Sequence, residues 1–338
     1  MSSSAAGSLT GLSPVRRIAV LRPNHRLGNL LLLTPLIQEL EARFPGAEIE
    51  VVGGGLAGPA VFAQFPLVTA LHAFPARSYQ RPGRVLRLLH ALRQPSYDLA
   101  IDPMPRSRSG RFLLALVRAR TRIGFRWGVG IRDFVLTHAV DPAGAPAHFA
   151  QAPLYLLRTA LLADAAQAQA AQTSPIRPLA LRLTQDERRS GAQRLAAALG
   201  RPAPPVPPCV GIFAHASGDK CFPADWWGQI VASLRRQAPS VPVVEFIPAD
   251  GRRRLADDLP ALQTPDLRLL GAALASTSVL VSGDCGIMHL ADAAGARVMG
   301  LFKATEPARY APSGPVSEGL WARDAKVESM AARIMASL

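Results

Sequence analysis

Three short stretches concentrate the side chains that could do chemistry. The first, Arg22-Pro23-Asn24-His25-Arg26-Leu27-Gly28-Asn29, is crowded with donors and has no carboxylate. It joins a strand-like run, RIAVL, to a helix-like run, LLLLTPLIQELEARF, so a turn rich in cations faces whatever binds at a strand end. His25 is the one base in the set. The second runs from Val281 to Ala291, where a strand enters Gly283-Asp284-Cys285-Gly286 and opens a helix carrying His289. A helix N-terminus presents free N–H groups and the positive end of a dipole, which suits a diphosphate. The plainer reading makes Asp284 an N-cap and His289 a packed core residue. The third, His215-Ala216-Ser217-Gly218-Asp219-Lys220-Cys221-Phe222-Pro223, combines small residues with one point charge, as a phosphate-gripping loop does, or is simply a polar turn.

Other patterns carry less. Gly53-Gly54-Gly55-Leu56-Ala57-Gly58 matches G-x-G-x-x-G literally, but it follows the second strand, and no acidic residue stands about twenty positions on to hold a ribose. A glycine turn is the better reading. Cys285 with His289 as a nucleophile pair has no further context. No P-loop spacing, zinc spacing or G-x-S-x-G elbow is present.

The elements that must position these residues alternate regularly. Strand-like RRIAVLRP, AEIEVV, YDLAIDP and TRIGF are separated by helical LLLLTPLIQELEARF, RPGRVLRLLHALRQ and RSGRFLLALVRA, and residues 148–171 read as one long helix. After five prolines within residues 202–208 the rhythm restarts with CVGIFAH, VPVVEFIPA, VLVSGD and RVMGLF. Helices are expected over ADWWGQIVASLRRQ, GRRRLADDL, AALASTS and GIMHLADAAG, and a Thr184-Gln185-Asp186-Glu187 cap opens another. This βαβα order predicts an α/β protein of two doubly wound parallel-sheet units, with ligands at the carboxyl ends of the strands and a cleft between the units. The domains are read as a loose tail over 1–15, a first unit over 16–174, a second over 175–322, and a last helix over 323–338 that could pack back on the first.

With 338 residues and 49% hydrophobic content, the chain can bury two cores. No apolar run is long enough to cross a bilayer, and three cysteines make no disulfide framework, so a cytoplasmic protein is expected. The net charge is +14 and only three basic residues are lysines. Residues 1–174 hold 19 basic and 9 acidic residues, against 19 and 15 in the rest, so the excess lies in the first half. An anionic substrate, nucleic acid or an anionic membrane surface would each answer it. With 6% aromatic residues and no recognised module, nucleic acid ranks last.

Taken together the motifs resemble glycosyltransferase family 9, the ADP-heptose:lipopolysaccharide heptosyltransferases and their relatives. Arg26-Leu27-Gly28-Asn29 through Thr34-Pro35 resembles the family's R-x-G-D-x-x-x-T-P. Lys220-Cys221-Phe222-Pro223 is similar to K-x-W-P, and Asp284-Cys285-Gly286-Ile287-Met288-His289-Leu290 to D-T-G-x-x-H-L. Tyr97 to Asp102, Arg122-Ile123-Gly124-Phe125, and Leu301-Phe302 with Thr305-Glu306-Pro307 and Pro312-Ser313-Gly314 resemble further segments. The resemblance implies a GT-B fold, two Rossmann-like domains facing a central cleft. It implies inverting transfer of heptose or a related sugar from a nucleotide diphosphate such as ADP-heptose to an anionic lipopolysaccharide-type acceptor, peripherally at the inner membrane. No metal or other cofactor is implied. Donor contacts fall on Ser217, Lys220, Asp250, Asp284, Cys285, Gly286 and His289, and acceptor contacts on Arg26, Arg106, Arg108 and Arg111. Where the family usually carries a catalytic Asp, this chain has Asn29, an amide that takes no proton at neutral pH. His25 and Asp102 are the replacement candidates, and a relative that binds without turnover is the alternative.

Overall fold

The chain divides into two compact units, the first ending at Arg177 and the second beginning at Pro178. The computed structural model describes residues 14–53, 55–74, 82–128, 133–161 and 177–338. The tail over 1–13 and the second half of the helix expected over 148–171 lie outside the described residues.

In the first unit the strands are β1 (Arg17–Leu21), β2 (Glu48–Val52), β3 (Val68–His72), β4 (Ser96–Asp102), β5 (Arg118–Phe125) and β6 (His138–Val140). The helices are α1 (Leu27–Leu31), α2 (Thr34–Arg43), α3 (Gly58–Phe62), α4 (Pro82–Arg93), α5 (Arg108–Leu116) and α6 (Ala152–Leu161). The strands pair in the order β3-β2-β1-β4-β5-β6, all parallel, with Ile18 opposite both Ile49 and Leu99. Helices cover both faces of such a sheet, which is why Ile18 to Leu21 form an uninterrupted buried run. The order reverses between β1 and β4, and the loops leaving these two strands define the ligand crevice of a doubly wound sheet. Glu39 on α2 is buried and takes Arg158 (3.3 Å), Arg177 (3.1 Å) and Arg43 (2.8 Å). Burial alone would raise its carboxyl, but the three guanidiniums outweigh it and hold it at about 2. A buried charge persists only when paired in this way, and the pairing ties α6 and the end of the unit to α2.

The second unit repeats the plan with β7 (Val210–Phe213), β8 (Val243–Ile247), β9 (Ala261–Gln263), β10 (Val279–Gly283), β11 (Val298–Phe302) and β12 (Glu318–Trp321), in the order β12-β11-β10-β7-β8-β9. Its helices are α7 (Gln185–Ala198), α8 (Ala224–Gln237), α9 (Leu267–Leu274), α10 (Gly286–Ala294), α11 (Pro307–Tyr310) and α12 (Val327–Ala336). The expected cap forms: the Thr184 hydroxyl accepts from the Glu187 amide, and Glu187 reaches back to the Thr184 amide. α12 buries Val327, Ala331 and Ile334 with Trp227, Ile230 and Leu234 of α8. This apolar face belongs to the core of the second unit.

Two element assignments need correction. GRRRLADDL is a loop, because the fully buried Glu245 on β8 captures the amides of Arg254 (2.8 Å) and Leu255 (3.1 Å) and the Arg253 guanidinium (3.0 Å). Backbone donors taken by a carboxylate are not available to a helix. The helix expected over AALASTS starts earlier, running from Leu267 to Leu274 because Asp266 caps it there, and the strand beside β8 is Ala261–Gln263.

Candidate active site

At the first unit's reversal, the loop after β1 carries Arg22, which donates to the Asn29 side-chain oxygen at 3.3 Å. Asn29 is half-buried on α1, whereas His25 and Arg26 are exposed in the turn before it. Gly53 explains the glycine-rich turn. Its φ is +149°, and an added Cβ would lie 2.3 Å from the Arg22 carbonyl oxygen, so β2 can end against this loop only with glycine there. The turn supports the Arg22 loop and is no dinucleotide site.

Asp102 ends β4 and is 0% exposed. Arg111 on α5 donates to it through Nε at 3.4 Å, to Asp133 at 3.0 Å and to the Phe125 carbonyl at 2.6 Å, and its guanidinium lies 4.9 Å from the Trp127 ring centre. Two of the proposed site roles change as a result. Arg111 is 4% exposed and its donors are engaged inside the unit, so it is a clamp and not an acceptor contact. Asp102 is sealed from solvent, so it cannot take a proton directly from an acceptor hydroxyl. Burial pushes its carboxyl up to about 7 despite the opposing pull of Arg111. Arg106 and Arg108 remain exposed at the start of α5, and Arg106 has a left-handed φ of 56°, a strained conformation held in the loop leaving β4.

The geometry makes two measurable demands. Gly110 follows the Ser107 N-cap, and a Cβ there would fall 2.4 Å from Asp102 Oδ1 and 2.7 Å from Ser107 Oγ. Gly110→Ala is expected to lower stability by ~1–3 kcal/mol, read as a drop in Tm, because neither a buried carboxylate nor a cap can withdraw freely. The raised Asp102 carboxyl predicts a pH effect. Between its ordinary 3.8 and about 7 the folded chain holds a proton that the unfolded chain has lost, so stability falls as pH rises across that window and levels above it. Relative to Asp102→Asn, the wild-type Tm should therefore decline from about pH 4 to about pH 7 and then run parallel.

In the second unit the reversal lies between β7 and β10. Asp284, 4% exposed, follows β10 and accepts from Lys220 Nζ at 2.6 Å and from Thr305 Oγ1 at 2.5 Å. Three strand ends, of β7, β10 and β11, thus meet on one carboxylate. Lys220 is not a free counter-charge: it is paired to Asp284 and lies 5.3 Å from the Tyr310 ring centre. A second cation, Lys303 after β11, donates to the Cys221 carbonyl at 3.2 Å and lies over Phe222. Cys285 occupies the N-cap of α10, where the Ile287 and Met288 amides lean on its sulfur without closing a full side-chain cap bond. Burial raises the Cys285 thiol, which argues against a thiolate nucleophile. Ser217 is exposed beside this loop.

His289 and Asp250 fit less well. His289 is 3% exposed in the interior of the unit, so its ring is not open to solvent in this structure. Asp250 is exposed after β8, and its carboxyl is held low by the side chain and amide of Arg252. Thr305 and Lys303 were not legible as site residues. Thr305 could have been found from its place in the segment after the last core strand, but nothing in its spacing marks a partner for Asp284. Asp292, buried on α10, accepts from the Ser313 amide at 2.8 Å and the Gly314 amide at 2.9 Å, and a Cβ on Gly314 would meet it at 2.7 Å. The Pro312-Ser313-Gly314 signature is thus a structural anchor. Among the described residues, no group of three His, Cys, Asp or Glu side chains is placed to hold a metal ion.

Several solved structures share the fold. The chain superposes on a glycosyl transferase family 9 protein from Veillonella parvula with a TM-score of 0.68 at 18% identity, covering 95% of this chain and 90% of that one. It superposes on E. coli ADP-heptose lps heptosyltransferase II with a TM-score of 0.70 at 16% identity, covering 95% and 98%. For E. coli heptosyltransferase WaaC with ADP the TM-score is 0.66 at 16% identity, with 96% and 100% covered. No curated protein matches the chain in sequence. The fold is therefore that of the two-unit α/β glycosyltransferases. Residues 85–333 match the model of glycosyltransferase family 9 (heptosyltransferase), and the chain belongs to that family. The match begins within α4, so the loop carrying His25 and Asn29 lies outside it.

Proposed function

We propose that this transferase moves heptose, or a related sugar, from a nucleotide diphosphate, ADP-heptose first, to a lipopolysaccharide-type acceptor with inversion at the anomeric carbon. The observation that carries this is the buried Asp284, gripped by Lys220 and Thr305 at the start of α10, whose N-cap is a neutral thiol and not a carboxylate. Backbone amides, a dipole end and two lysines supply what a departing diphosphate needs, without a metal or other cofactor. On the first unit the exposed Arg26, Arg106 and Arg108 face an acceptor rich in phosphate and carboxylate. The acceptor hydroxyl attacks the anomeric carbon, the bond to the diphosphate oxygen breaks, and His25 takes the hydroxyl proton while Asn29 orients the hydroxyl. The work is done at the cytoplasmic face of the membrane that carries the acceptor. The test is a transfer assay with ADP-heptose and truncated lipopolysaccharide, beside calorimetric titration with ADP. Transfer and ADP binding are the expected results, and absence of ADP binding would sink the reading.

Asn29 favours a second reading, a protein that binds sugar nucleotide or glycan without turnover. ADP binding without any transfer would establish it.

A further inference from the structure

We propose that the outward face of α4 and α5 docks the first unit on an anionic lipid bilayer, so that the acceptor residues beside it meet a membrane-anchored substrate. This rests on the reading above only in that the acceptor is lipid-linked. α4 and α5 pack side by side and send Leu88, Leu92, Leu113 and Leu114 into one core cluster. Their opposite sides expose Arg84, Arg87, His90 and Arg93 on α4 and Arg108 on α5. Among these cations stand two large apolar side chains open to solvent, Leu86 at 66% and Phe112 at 57% exposure. A shallow groove along α4 is lined by Leu86, Arg87, Leu89, His90 and Arg93.

Single exposed apolar residues are ordinary. This face differs in its charge. No acidic residue occurs from Pro82 to Tyr97 or from Pro103 to Gly128. The two that fall between are engaged elsewhere: Asp98 accepts from the amides of Arg16 and Arg17, and Asp102 is buried under Arg111. The surface is therefore cationic with apolar points, the combination that binds an interface by attraction to anionic headgroups plus shallow insertion. Nucleic acid would also attract the arginines, but it gives no reason for an exposed leucine. α5 begins at Arg108, next to the exposed Arg106, so a docked face would bring the acceptor contacts to headgroup level.

Flotation of the full chain with phosphatidylethanolamine–phosphatidylglycerol vesicles, against pure phosphatidylcholine, tests the proposal. Wild type is expected to float with the anionic vesicles only. Arg84→Glu/Arg87→Glu/Arg93→Glu should lower binding by about 100-fold and Leu86→Ser/Phe112→Ser by about 10-fold. Both variants should keep the wild-type Tm and wild-type turnover of a soluble truncated acceptor. Wild type that stays down, or either variant floating as wild type does, overturns the proposal. An unaffected Leu86→Ser/Phe112→Ser variant would mean charge attraction to any polyanion. Flotation without turnover would sink the transfer reading and leave the docking surface standing, and turnover without flotation would do the reverse.

Discussion

His25→Ala is expected to lower kcat for sugar transfer by ~10²–10⁴-fold with little change in KM, and adding Asn29→Asp to restore most of it. The expectation follows from eliminating bases around one turn. The Asn29 amide accepts a hydrogen bond from Arg22 but takes no proton. Asp102 has its carboxyl raised to about 7, a suitable value for a base, but no exposed surface through which to meet a hydroxyl. His25 is exposed in the loop that positions Asn29. A carboxylate at position 29 would sit at the Arg22 guanidinium, which favours its ionised form, so Asn29→Asp places a competent acceptor where the amide now is. KM should hold because proton removal matters only as the bond forms. Full turnover by His25→Ala would show that the proton leaves by another route. Failure of Asn29→Asp to rescue would show that position 29 does not face the reacting oxygen.

What was legible in the chain follows from burial. The central strands, such as Ile18 to Leu21 and Val279 to Gly283, are covered on both faces and read as continuous apolar runs, and the other inner strands carry apolar residues at their buried positions. The strands that could not be read, β3, β6, β9 and β12, are the four sheet edges, short and only partly buried: His138–Val140 and Ala261–Gln263 have three residues each. Loops at strand ends were legible as places where chemistry sits, because polar residues between apolar runs stand out. Their internal pairings were not. Arg111 and Arg108 look alike in sequence, and only the fold makes one a buried clamp and leaves the other exposed. Glu245 appears as one charge in an apolar strand, yet it organises the loop that looked helical. Such contacts join residues far apart in the chain, and no periodicity reports them.

Lys220→Ala is expected to weaken ADP binding by ~10–10²-fold, the range for losing one charge-assisted hydrogen bond, and to lower Tm by several degrees. Two effects act in the same direction. The ammonium that attracts the diphosphate is gone, and Asp284, 4% exposed, keeps only the Thr305 hydroxyl of these two partners and presents its charge to the incoming anion. The second effect can be isolated. Adding Asp284→Asn to Lys220→Ala removes the carboxylate charge, so the double variant should bind ADP more tightly than Lys220→Ala alone and recover part of the Tm. The coupling between the two positions then measures the pair seen at 2.6 Å. Asp284→Asn by itself discriminates further: it frees Lys220, so affinity for inorganic pyrophosphate should hold or rise even where placement of the sugar suffers. If Lys220→Ala binds ADP as well as wild type, the diphosphate does not lodge at the start of α10.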